Sequence, residues 1–197
     1  MAITEALDAF IEQYRKVYPH LEDVHDPRWR SRCEVSEPYR DTDGIDRIAW
    51  QPLKRRHTTT PNDFSGLEQA LELKIHPDLK TYYGAYWSGG LEAEAPQGHV
   101  SLLMLWNDED VARLTENLVG HALAKRRSRS AFSVFFACTE KDSDLFLSVE
   151  NDSGRIILER PGYKPLKTVA SNLAEFLENL VPATPNRETE NLTPLPS

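Results

Sequence analysis

The groups in this 197-residue chain that could carry chemistry are six histidines, two cysteines and 31 carboxylates. A compact metal site needs His, Cys or carboxylate ligands at short, fixed spacings. His20, His25, His57, His76, His99 and His121 have no such spacing with another His, Cys or Glu, and His121 follows Glu116 off a common helical face. Cys33 and Cys138 form no CxxC pair, and Cys138 closes the apolar run AFSVFFACT, where it reads as a small buried hydrophobe. There is no GxSxG elbow, Walker loop or GxGxxG fingerprint, and Ser88-Gly89-Gly90 reads as a helix terminus. A glycosidase-type carboxylate pair depends on geometry alone, but sugar clefts are usually lined with aromatics, and the aromatics here fall mostly on core-type positions. These residues predict no catalytic group, no metal and no cofactor.

Charge distribution is what remains. The formal net charge is -8 and the pI about 5.3. Such a surface repels phosphate backbones and anionic lipid and attracts basic protein segments, although acidity also serves plain solubility. The acids are clumped. One clump holds Glu34, Glu37, Asp41, Asp43 and Asp46 against Arg40, and a second holds Glu92, Glu94, Asp108, Glu109, Asp110 and Glu116 against Arg113. A third holds Glu140, Asp142, Asp144, Glu150 and Asp152 against Lys141. The basic runs Lys54-Arg55-Arg56 and Lys125-Arg126-Arg127 are short, and the second suits a helix C-terminus. Nucleic acid is therefore not an expected partner.

The elements that must position these groups follow from periodicity. Ile3, Leu7, Phe10, Ile11, Tyr14, Val17, Tyr18 and Leu21 predict a helix ending near Pro19. Residues 22–47 are the least readable, and Ile45 to Trp50 reads as a short strand. Helices are predicted over Phe64–Leu73 and Pro77–Trp87, then a hairpin of Leu91–Ala95 and His99–Trp106. The clearest helix starts after Asn107, its N-cap, with Asp110 as a capping-box partner and Val111, Leu114, Leu118 and Ala122 as its buried stripe. Strands Ala131–Thr139, Leu145–Glu150 and Arg155–Glu159 follow, the last two around the turn Asn151–Gly154. A final helix spans Ser171–Leu180. The expectation is one α+β domain over residues 1–181, with a mainly antiparallel sheet of about five or six strands flanked by helices. The Pro-rich tail 182–197 is expected to be disordered. No apolar run approaches the ~18 residues of a membrane span, and Glu5 and Asp8 sit where a signal peptide would be cationic, which predicts a cytoplasmic chain.

An ordered set of segments resembles the Syd, or SecY-interacting, family of bacteria. It comprises Trp50-Gln51-Pro52, Ile75-His76-Pro77 with Tyr82-Tyr83, and Leu105-Trp106 with Asp108-Glu109-Asp110. Glu116 to His121, Phe135-Phe136-Ala137, Asn151 to Gly154 and Ala170 to Leu177 complete it, covering nearly all of 5–181. The segment His20–Asp46 matches poorly, and the tail is an addition. The resemblance implies a non-enzymatic protein without cofactor, peripheral on the cytoplasmic side of the inner membrane and held there through SecY. Family proteins check or sequester SecY that is not properly assembled. The family is also similar in fold to immunity-type proteins of the SUKH superfamily, so neutralisation of a toxin is the alternative reading. Cytoplasmic loops of membrane proteins are rich in Lys and Arg. The expected partner-binding face is therefore Asp41, Asp43, Asp46, Glu92, Glu94, Asp108, Glu109 and Asp110, with no direct lipid insertion.

Overall fold

The computed structural model describes residues 1–56, 64–140 and 142–184. His57, Lys141 and residues 185–197 of the tail lie outside the described residues.

Helix α1 (Ile3–Val17) buries Ile3, Ala6, Leu7, Phe10, Ile11 and Tyr14, the 3–4 residue spacing of one apolar face. The segment that the sequence left unread forms a small antiparallel sheet. Strands β1 (Leu21–Val24) and β2 (Tyr39–Arg40) flank β3 (Asp46–Trp50) in the order β1-β3-β2. Apart from partly buried Leu21, β1 and β2 are exposed, so neither shows the alternation that betrays a half-buried strand. A short strand β4 (Leu53–Lys54) follows.

Helices α2 (Ser65–Leu71) and α3 (Pro77–Ala85) are separated at His76-Pro77 as predicted. The second helix stops earlier than expected, because β5 (Tyr86–Trp87) turns extended and pairs with β4. The principal sheet then begins with the hairpin β6 (Leu91–Ala95) and β7 (Gly98–Leu102). It continues, after α4 (Asp108–Arg127), through β8 (Ser133–Cys138), β9 (Phe146–Glu150), β10 (Ile156–Glu159) and β11 (Lys167–Ala170). Helix α5 (Leu173–Glu178) and β12 (Val181–Pro182) end the described fold, and Ala183 is buried beyond them.

The sheet is antiparallel with strand order β11-β10-β9-β8-β7-β6-β12. Its seven strands exceed the expected five or six because both edge strands, β11 and β12, are too short and too mixed in polarity to read. Side chains on β8 divide the helices between two faces. Phe136 meets Tyr82 of α3 and Phe176 of α5 on one face, while Phe135 meets His121 of α4 on the other. Helix α1 packs on α3, α5 and β12.

Helix α4 contains a correction to the reading of its basic end. Leu114, Leu118 and Ala122 are buried as expected, but the stripe continues into Lys125, which lies inside the domain. Cys138 is also misread. A bulge between Phe135 and Ala137 resets the alternation, and Cys138 emerges exposed beside Ser101 while Cys33 is buried. Burial pushes the Cys33 thiol up to about 11, so it is held protonated.

Candidate docking cleft

Alternation along the β6–β7 hairpin sorts its side chains. Leu91, Ala93, Val100 and Leu102 are buried, which turns Glu92, Glu94, His99 and Ser101 to the other face. The register places Glu92 opposite Ser101 and Glu94 opposite His99. Glu92 accepts a hydrogen bond from Ser101 Oγ at 2.8 Å. His99 spans the two acids, with Nε2 2.7 Å from Glu92 and Nδ1 3.1 Å from Glu94. Partial burial pulls the His99 pKa down, but the hydrogen bonds to Glu94 and Glu92 outweigh it, and the net direction is upward.

A cleft of about 200 Å³ lies between the small sheet and the start of α4. Its acids are Asp23, Asp26, Glu34 and Asp110, over a floor that includes Gly89, Gly90, Met104 and Trp106. Gly90 joins the two regions: a side chain there would lie 3.7 Å from Ser101 Oγ. Gly89 has a different constraint, because a Cβ would come within 2.8 Å of the Trp50 ring.

Local hydrogen bonds hold the walls in place. Asn107 Oδ1 accepts from Asp110 N at 3.0 Å, and Asp110 Oδ2 accepts from Trp106 N at 2.8 Å. The capping reciprocity predicted for α4 is thus present, reaching one residue further back than a capping box. Trp106 Nε1 donates to Trp29 O and Asn107 Nδ2 to Arg30 O, tying the 26–34 loop to the helix start. Within that loop Glu34 accepts from Arg30 Nε at 2.6 Å, and Asp26 accepts from Arg28 N at 2.9 Å. The Arg113 guanidinium lies 4.0 Å above the Trp29 ring, a cation–π contact at the rim.

The eight acids expected on a binding face are not one group. Glu92, Glu94 and Asp110 belong to the strip and cleft just described. Asp41 organises the β2–β3 turn, accepting from Asp43 N, Ile45 N and Arg47 Nε, and its hydrogen bond from Arg47 leads the causes that lower its pKa. Asp46 is held by Arg40 Nε and Nη2 at 2.8 and 3.1 Å, and Asp43 is exposed on the same turn. Asp108 turns to Arg32 at 3.3 Å, and Glu109 is exposed in the first turn of α4. Asp23 and Asp26 were missed because they sit in the unread segment, where composition carries no sign of which strand face an acid takes. Among the described residues no group of three or more His, Cys, Asp or Glu is arranged to hold a metal ion, and no helix is long and apolar enough to cross a membrane.

A family model described as Syd protein (SUKH-2) matches residues 3–182. The chain is 36% identical over 186 residues to Protein Syd of Pseudoalteromonas atlantica, covering 92% of this chain and 97% of that one. It is 37% identical to Protein Syd of Alteromonas mediterranea over the same shares of the two chains. Protein Syd of Colwellia psychrerythraea is 34% identical, with 91% of this chain and 90% of that one covered.

Proposed function

Because the chain belongs to the Syd protein family, we propose that it is a binding protein that docks on SecY at the cytoplasmic face of the inner membrane and restrains or sequesters SecY not properly assembled. The observation that supports the docking mode is the gathering of Asp23, Asp26, Glu34 and Asp110 in one cleft, whose lining residue Gly90 adjoins Ser101, the hydrogen-bond partner of Glu92. Basic loops are the complementary partner, since cytoplasmic loops of membrane proteins are enriched in Lys and Arg. The partners of these acids differ: Asp26 faces an Arg28 side chain that is 90% accessible, whereas the Glu34 side chain is only 5% accessible against an Arg30 that is 50% accessible. An exposed pair such as Asp26–Arg28 contributes little, so an incoming Lys or Arg displaces it at small cost. Complementary potentials speed encounter and make the complex sensitive to salt.

The test is co-purification of the chain with membranes containing overproduced SecY, at low and high salt. Glu92→Gln/Glu94→Gln and Asp23→Asn/Glu34→Gln keep side-chain shape while removing charge, and each is expected to weaken binding about tenfold. Retention that ignores both salt and these substitutions refutes the acidic docking mode. Failure to retain SecY at all refutes the partner.

A further inference from the structure

The run Lys54-Arg55-Arg56, which the acidic cleft does not use, closes a second cleft of about 350 Å³. Among the described residues it is lined by Arg32, Leu53, Lys54, Arg55, Arg56 and Trp87, of which four are cations in a chain of net charge -8. The Trp87 indole gathers them: the guanidinium carbon of Arg55 lies 3.9 Å from the ring centroid and that of Arg32 5.6 Å. Two guanidinium groups on one ring repel each other. The ring quadrupole and nearby acids offset that repulsion, Asp108 beside Arg32 at 3.3 Å and Asp8 beside Lys54. Both cations of these pairs are more than half exposed, so the pairs are weak and open to exchange with a stronger anion. Leu53 stands among the cations with 42% of its surface exposed.

Against the expectation of no direct lipid insertion drawn from net charge, we propose that this locally cationic cleft is a contact site for the phosphate of an anionic phospholipid headgroup, with Leu53 entering the interface beside it. A small concave site with fork-shaped donors suits a single phosphate. The surrounding acidic surface opposes a long polyanion such as nucleic acid. An exposed leucine flanked by basic side chains is the pairing that peripheral membrane contacts use, apolar at the acyl boundary and cationic at the headgroups. The opposite-sign clefts adjoin at the start of α4, where Asp108 turns to Arg32 and Asp110 lines the acidic side. On the proposed reading, one would meet cytoplasmic loops while the other meets the lipid beside them.

Protein-free vesicles separate this inference from the partner reading. The full chain is floated with phosphatidylcholine vesicles with and without phosphatidylglycerol, comparing wild type with Lys54→Glu/Arg56→Glu and with Arg127→Glu/Lys164→Glu, an equal charge change outside the cleft. The expected result is association that requires phosphatidylglycerol, falls at least tenfold in the cleft variant and persists in the control variant, given roughly fivefold per cation at an anionic surface. No preference for phosphatidylglycerol, or equal loss in both variants, overturns the proposal. Titration with inorganic phosphate is the second arm: saturation as tight as that of vesicles reduces the cleft to a free-anion site and overturns the lipid assignment.

Discussion

Lys125 and Glu159 form an ion pair sealed inside the domain, with side chains only 5% and 2% exposed. Lys125 comes from the last turns of α4 and Glu159 from the end of β10, so the pair bolts the helix to the sheet. The other oxygen of Glu159 accepts from Ser133 Oγ at 2.6 Å. That leaves the Ser133 oxygen to accept from His121 Nε2 at 3.1 Å, which fixes the imidazole with its proton on Nε2. Burial leads the causes that hold His121 below the usual histidine range and therefore neutral.

Removing one partner strands the other charge in an apolar surround. Lys125→Met is expected to cost about 3–5 kcal/mol in urea denaturation, whereas Lys125→Met/Glu159→Leu recovers most of that loss. A single substitution that costs less than about 1 kcal/mol would contradict the buried pairing.

The charge of His99 subtracts from the acidic strip that it bridges. Its raised pKa keeps the imidazolium at pH values where an ordinary histidine has begun to discharge. Stability from its contacts with Glu92 and Glu94 is accordingly present below the unfolded pKa and fades as pH rises through the folded one. Affinity for a basic partner moves the other way, increasing as the ring loses its proton. Beside the strip, Tyr14, Tyr18 and Cys138 are all shifted upward and stay neutral there, and His25 acts electrostatically on Asp26 of the adjoining cleft, so the His99 variant is what assigns the profile. SecY binding by wild type is expected to strengthen several-fold between about pH 6 and pH 8.5, and His99→Gln is expected to flatten that profile. An identical slope in the variant would rule out His99 as the titrating group.

Gly154 closes the β9–β10 turn with φ +74, and a Cβ there would lie 2.7 Å from His76 Nε2. His76 has little room to yield, because its Nδ1 accepts from Asp78 N to cap α3 and its backbone N–H donates to Asn151 Oδ1. Gly44 has nearly the same φ, +77, with nothing within 4 Å. Gly44→Ala is expected to cost about 1 kcal/mol, the backbone penalty alone, and Gly154→Ala about 1–2 kcal/mol more. Equal thermal destabilisation of the two variants would show that the His76 contact carries no weight.

Much of the frame was legible because local chemistry and tertiary packing agree. Asn107 and Asp110 announce the start of α4, the Asn151–Gly154 turn announces a hairpin, and the α1 stripe packs as spaced. What was illegible lacks a local period. Strand β2 has two exposed residues and is held by a neighbour, β3, that only the fold supplies. Lys125 looked like a dipole-compensating cation because nothing near it in sequence signals Glu159, 34 positions away.

The sequence by itself determined the family, the α+β class, the helix caps and the surplus of carboxylates, all of which are encoded in residue type, order and short spacing. Only the tertiary structure decided what each carboxylate does. Asp41 and Asp46 are engaged by Arg47 and Arg40 on adjacent strands, Glu159 is buried with Lys125, and Asp23, Asp26, Glu34 and Asp110 share a cleft. Composition counts charges, but the effect of a charge depends on distance to partners and on exclusion of water, and both are set by strand pairing and packing between residues far apart in the chain.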